Sequence, residues 1–131
     1  MEKYLLSYNE EDDILYLKIL GITKSEDLRE LMPRVQKLLE GKTRRRALVD
    51  MSESVPLDAS MMTREMRDTY KELNNLMNAD KAAILGASPS VRMVARIVLA
   101  VTGKSKTAKF FKTKEEALAW LKGVQEKVKF A

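Results

Sequence analysis

The sequence predicts an α/β domain with a mainly parallel sheet and one antiparallel edge strand. Three observations predict it. Short apolar runs alternate with stretches of helical periodicity, which implies crossover connections and parallel strands. The first two runs are joined only by a short acidic turn, which implies a hairpin. Isolated glycines and small polar residues punctuate the junctions.

The elements follow in order. Residues 3–8 read as a short strand, followed by the turn Asn9-Glu10-Glu11-Asp12. Residues 14–20 read as a second, largely buried strand that Gly21 ends. Ser25, Glu26 and Asp27 form a good helix start, since acidic residues suit the first turn. Leu28, Leu31, Met32, Val35, Leu38 and Leu39 then recur at helical spacing until Gly41. Pro33 lies inside that pattern and predicts a kink or an irregular first half.

Ala47, Leu48 and Val49, closed by Asp50, read as a buried strand, and residues 51–59 as a loop. A second helix is expected from about Ser60 to Met77, with the stripe Met62, Met66, Tyr70, Leu73 and Met77. Residues 82–85 make another strand, ending at Gly86. Ser88, Pro89 and Ser90 open a third helix, with proline near its first position. That helix, residues 91–102, is apolar on more than one face, as a dimer interface or a helix wedged into the core would be. Residues 108–111 are the last strand. Thr113 caps a final helix that carries Ala117, Leu118, Leu121 and Val124. The order is β-β-α-β-α-β-α-β-α. No repeat or linker interrupts it, so residues 1–131 read as one domain.

Composition narrows the chemistry. The chain has 131 residues, enough to bury a core without disulfides or metal. It contains no cysteine and no histidine. Thiolate metal sites, the Ser-His-Asp triad and the Cys-His pair are therefore impossible. A carboxylate, lysine or tyrosine would need its pKa tuned by burial to do acid–base work. A non-enzymatic role without cofactor or metal is the expectation. An enzyme using Asp50 or Asp58 ranks last. The start of the chain has no signal pattern and no apolar run approaches a membrane span, so a cytoplasmic protein is expected.

In parallel sheets, ligands bind at the carboxyl ends of the strands. The loops there carry Asp50, Ser52, Ser54, Asp58, Ser60, Ser88 and Ser90. Ser25, Ser60, Ser90 and Thr113 each lie at or near a helix start. Ordinary N-capping accounts for all four, although a helix N-terminus also favours phosphate. Phosphorylation of Ser60 would gain from the helix dipole and suffer repulsion from Asp58, which could shift the loop.

The opposite edge collects Lys42, Arg44, Arg45, Arg46, Lys104 and Lys106. A solvated edge that keeps the protein soluble explains this patch, and a surface for an acidic protein, nucleic acid or anionic lipid is the alternative. No aromatic residues interleave with it, which weighs against nucleic acid. Met62, Met66 and Tyr70 read either as core or as one wall of an adaptable apolar pocket for a small or lipid-like ligand.

From Leu48-Val49-Asp50-Met51-Ser52 through Leu57-Asp58-Ala59-Ser60, the chain resembles the STAS family, the sulfate-transporter and anti-sigma-factor-antagonist domain. The shared pattern is an apolar strand ending in Asp, a short loop, then Asp-x-Ser at a helix start. Residues 82–86 and 110–121 look closest to the SpoIIAA-like branch, which is similar in fold to lipid-binding CRAL-TRIO domains. The resemblance implies a regulatory domain with a protein partner. It matches Ser60 to the serine that a partner kinase phosphorylates and Asp58 to the acidic residue beside it. The usual glycine after that serine is Met61 here.

Overall fold

The computed structural model describes residues 2–55, 60, 63–103 and 106–123, the side chains of Val94, Val98 and Thr102 excepted. The elements are β1 (Tyr4–Asn9), β2 (Ile14–Ile19), α1 (Ser25–Leu39), β3 (Arg46–Asp50), α2 (Arg64–Met77), β4 (Lys81–Leu85), α3 (Pro89–Thr102), β5 (Ala108–Phe111) and α4 (Lys114–Lys122). This is the order the sequence predicts. The expected Val124 in the last helix lies outside the described residues.

The five strands form one sheet in the order β1-β2-β3-β4-β5. The β1–β2 hairpin is antiparallel, from Tyr4 opposite Ile19 to Asn9 opposite Ile14. Its turn is closed by the Asn9 carboxamide, which accepts from the Asp12 backbone N–H at 3.0 Å. The Asn9 backbone carbonyl accepts from Asp13 N–H at 2.7 Å. The other three pairs are parallel.

Because consecutive strands are neighbours, right-handed crossovers carry α1, α2 and α3 to the same face. Alternation along the strands then separates two cores. Leu15, Leu17, Ile19 and Ala47 pack with Leu28, Leu31, Val35 and Leu39 of α1 and with Met66, Leu73 and Met77 of α2. On the reverse face Ile14, Leu48, Ala83 and Leu85 pack with Ala117 and Leu121 of α4. Full burial of each leucine, isoleucine, valine or methionine among them contributes about 1.5–3 kcal/mol.

Four local outcomes differ from expectation. Helix α1 runs unbroken through Pro33, and the buried Leu31 and Val35 on either side of it pin both halves to the sheet. Ser25 is not the cap of α1 but its first helical residue, and the Asp27 carboxylate accepts from Thr23 and Lys24 N–H at 3.1 and 3.3 Å. Helix α2 starts at Arg64 rather than near Ser60, because Thr63 takes the cap and its hydroxyl accepts from Met66 N–H at 3.1 Å. At α3 the cap is Ser88, with Ser90 already inside the helix. Thr113 caps α4 as expected.

Candidate functional site

The loop between β3 and α2 is built on Asp50. Its carboxylate accepts from the Ser52 backbone N–H at 2.9 Å and from the Ser52 hydroxyl at 2.6 Å, closing a side-chain turn. Met51 N–H donates to Leu85 O at 2.7 Å, which extends the β3–β4 pairing by one bond. Ser54 N–H donates to Met51 O at 3.2 Å, and Val55 N–H to Leu20 O at 2.9 Å. The loop is thus bonded to the ends of two neighbouring strands. Lys18, opposite Asp50 on β2, forms an ion pair with Glu53. That bond raises the Lys18 pKa.

The loop after β4 presses against this turn. Gly86 has φ +75°, and a Cβ there would lie 2.6 Å from Ser52 Cα. Glycine is required both for the left-handed backbone and for the close approach.

Asp50 and Ser52 therefore spend their polar groups on each other. They shape the loop that leads to Ser60, which is exposed and lies four residues before α2 begins. Asp58 and Met62 lie outside the described residues.

The start of α2 is anchored from the other side. Glu65 accepts from the Ser25 hydroxyl at 2.5 Å and from Arg29 at 3.2 Å. The Ser25 bond, then Arg29, hold the Glu65 carboxyl below the usual carboxylate range. Sequence reasoning missed Thr63, Glu65, Arg29 and the packing role of Gly86. Gly86, a glycine ending an apolar run, and Thr63, a cap-type residue, offered local signals.

A second feature is an apolar cavity of about 140 Å³ between the sheet, α2 and α3. Tyr70, Leu73 and Met77 line it from α2, and Val91, Ala95 and Leu99 from α3. Its floor includes Val49 and Ile84. Of the predicted pocket residues, Tyr70 lines the cavity. Met66 does not; it is 2% exposed and belongs to the core beneath α1 and α2.

Three of the six residues of the basic edge are spent on the fold. Arg45 donates to the carbonyls of Leu76 and Met77, both at 3.2 Å, satisfying the end of α2. Arg46 donates to Leu121 O at 2.8 Å and to Asp12 O at 2.5 Å, tying α4 to the hairpin turn. Lys42 pairs with Glu10 at 3.0 Å and sits over the Tyr8 ring. Arg44 and Lys106 are exposed, and Lys104 lies outside the described residues. Among the described residues, no acidic group is arranged to hold a metal, and no helix is long and apolar enough to cross a membrane.

A five-stranded, mainly parallel sheet with three helices on one face and one on the other makes this chain an α/β domain. The SpoIIAA-like family model matches residues 14–122, and the chain belongs to that family. Three solved structures share the fold. One is an uncharacterised protein of the DUF3478 family with a SpoIIAA-like fold from Shewanella loihica, at TM-score 0.62 and 23% identity, covering 90% of this chain and 91% of that one. Another is the anti-sigma factor antagonist SpoIIAA in its unphosphorylated form, at TM-score 0.57 and 16% identity, over 92% and 97% of the two chains. A third is an anti-sigma-factor antagonist (STAS) domain protein from Planctomyces limnophilus, at TM-score 0.52 and 15% identity, over 90% and 97%. No curated protein matches the chain.

Proposed function

We propose that this chain is a non-enzymatic regulatory domain of the anti-sigma-factor-antagonist type. It docks a protein partner with the β3–α2 loop and the start of α2, and phosphorylation of Ser60 releases that partner. Such a switch would work in the cytoplasm, where kinases and ATP are found.

One observation carries the reading: the exposed Ser60 stands between a loop bonded to the strand ends and a helix start anchored by Glu65. A doubly charged phosphoryl group there would stand two residues along the chain from the Asp58 carboxylate and four before α2 begins. Charge added at that point changes the surface a partner touches. Asp50 serves this loop as a turn former, which accounts for it without catalysis.

The cavity favours a second reading, a carrier of a small apolar ligand. At about 140 Å³ it has room for an apolar guest about the size of benzene.

Intact mass of the protein purified from its own cells, measured natively and after denaturation, separates the two. A phosphoryl mass that survives denaturation and maps to Ser60 supports the switch. Phosphorylation mapping only to another residue contradicts it. Extra mass lost on denaturation supports the carrier and identifies the ligand class.

A further inference from the structure

Strand β5 is one edge of the sheet, and aromatic rings stand on both of its faces. On the α4 side the Phe111 and Trp120 rings lie 5.5 Å apart, tilted by 43°. The ammonium groups of Lys81 and Lys109 stand over the Trp120 ring at 5.0 and 5.9 Å. On the other side the guanidinium groups of Arg92 and Arg96 lie over the Phe110 ring at 5.8 and 5.5 Å. All three rings are half-buried.

The positive charge of the chain collects in the same segment. Residues 81–114 hold eight lysines and arginines and no aspartate or glutamate, while the rest of the chain holds sixteen cations and nineteen anions. The net charge of +5 therefore comes wholly from this segment. Lys81 is held by the fold, donating to Trp120 O at 3.0 Å. Lys106, Lys109 and Lys112 are exposed and follow at three-residue steps along β5 and its two ends, about 20 Å from first to last. Among the described residues, no ion pair engages any of these three.

We propose that the β5 edge binds single-stranded nucleic acid: a base stacks on Trp120 while Lys106, Lys109 and Lys112 meet the phosphates. The base takes the place over the ring where the Lys109 ammonium now stands, and that ammonium turns to a phosphate. Every base has a π-face, so such a site tolerates any sequence. An acidic protein would satisfy the lysines but offer the indole no base to stack on. The sequence weighs against nucleic acid because no aromatic interleaves with the basic run 42–46; folding sets aromatics beside a different group of cations. None of these residues lies in the Ser60 loop or lines the apolar cavity, so the proposal rests on neither reading of the function.

Trp120 is the only tryptophan, so its fluorescence reports on the site. The full chain is titrated at several salt concentrations with a thymidine oligonucleotide, and with inorganic polyphosphate as a polyanion without bases. The oligonucleotide is expected to bind at low salt and to quench the Trp120 emission, and polyphosphate to leave the emission unchanged. Lys109→Gln with Lys112→Gln should weaken binding and make the slope of log affinity against log salt shallower by about 1.4, at about 0.7 for each lost phosphate contact. Both lysines are exposed, so circular dichroism should show an unchanged fold. Trp120→Leu should lose about five-fold or more in affinity. No binding at low salt, binding without quenching, or a lysine variant that binds as wild type does overturns the proposal. So does equal affinity and equal quenching with polyphosphate, which would assign the edge to acidic partners in general.

Discussion

Gly86 and Ser52 meet backbone to backbone: a Cβ on Gly86 would stand 2.6 Å from Ser52 Cα and 2.7 Å from Ser52 N. The contact joins the loop after β4 to the loop that leads to Ser60. Gly103 has nearly the same backbone, φ +74° against +75°, but nothing within 4 Å of its virtual Cβ. Gly103→Ala should cost only the left-handed strain, about 1–2 kcal/mol. Gly86→Ala should cost about 2–4 kcal/mol, because a backbone must also move. Urea unfolding of the two variants checks the difference, and equal costs would mean that the loop yields freely.

Glu65 makes the start of α2 acid-sensitive. Its carboxyl titrates below its ordinary value of 4.5 because Ser25 and Arg29 favour the charged form. The folded state therefore binds fewer protons than the unfolded state in that range, and stability rises with pH there. The contribution is complete above about pH 4.5 and lost as pH falls through the folded value. Glu65→Gln should flatten this part of the stability–pH curve while leaving the curve near neutrality unchanged in slope. Thermal melts of both proteins from acid to neutral pH measure it.

Tyr70 does the opposite at high pH. Burial against the cavity wall raises its pKa to about 12 from the usual 10.0. The unfolded state then loses a proton that the folded state keeps, so folding stability falls as pH rises from about 10 toward 12. Tyr8 behaves alike, raised to about 12 by desolvation first and then by its bond to Asp13. Tyr70→Phe should remove one proton from the alkaline slope and one slow-titrating phenol from the ultraviolet pH titration. Loss of a phenol that titrates near the usual 10.0 instead would show that Tyr70 reaches solvent.

The cavity predicts its own guests. Its lining, Leu73, Ile84 and Leu99 among others, offers a probe such as xenon or benzene dispersion contacts without polar cost. Wild type should bind either probe and gain thermal stability with its concentration. Ala95→Leu, which places three more carbons at the cavity wall, should abolish the gain. A variant that binds as wild type does would place the guest elsewhere.

The apolar runs at 14–20 and 47–49 made the strands legible, and the acidic turn after Asn9 made the hairpin legible. The start of α2 was not. Ser60 and Thr63 are both competent caps three residues apart, and only the fold selects Thr63. Periodicity showed that α3 is apolar on two faces but carries no information on which face is covered. The work of Arg45 and Arg46 was hidden for a different reason. Their carbonyl partners lie 31 and 75 residues away, at Leu76 and Leu121, and composition reads both arginines only as charge. Gly86 was legible as a strand terminator, and its contact with Ser52 was not.

Affinity capture with the wild type, Ser60→Ala and Ser60→Asp chains, each expressed in the protein's own cells, tests the central claim most directly. Wild type and Ser60→Ala should retain a common protein partner, and Ser60→Asp, carrying a permanent charge at the loop, should lose it. Identical partner profiles for all three would contradict the Ser60 switch.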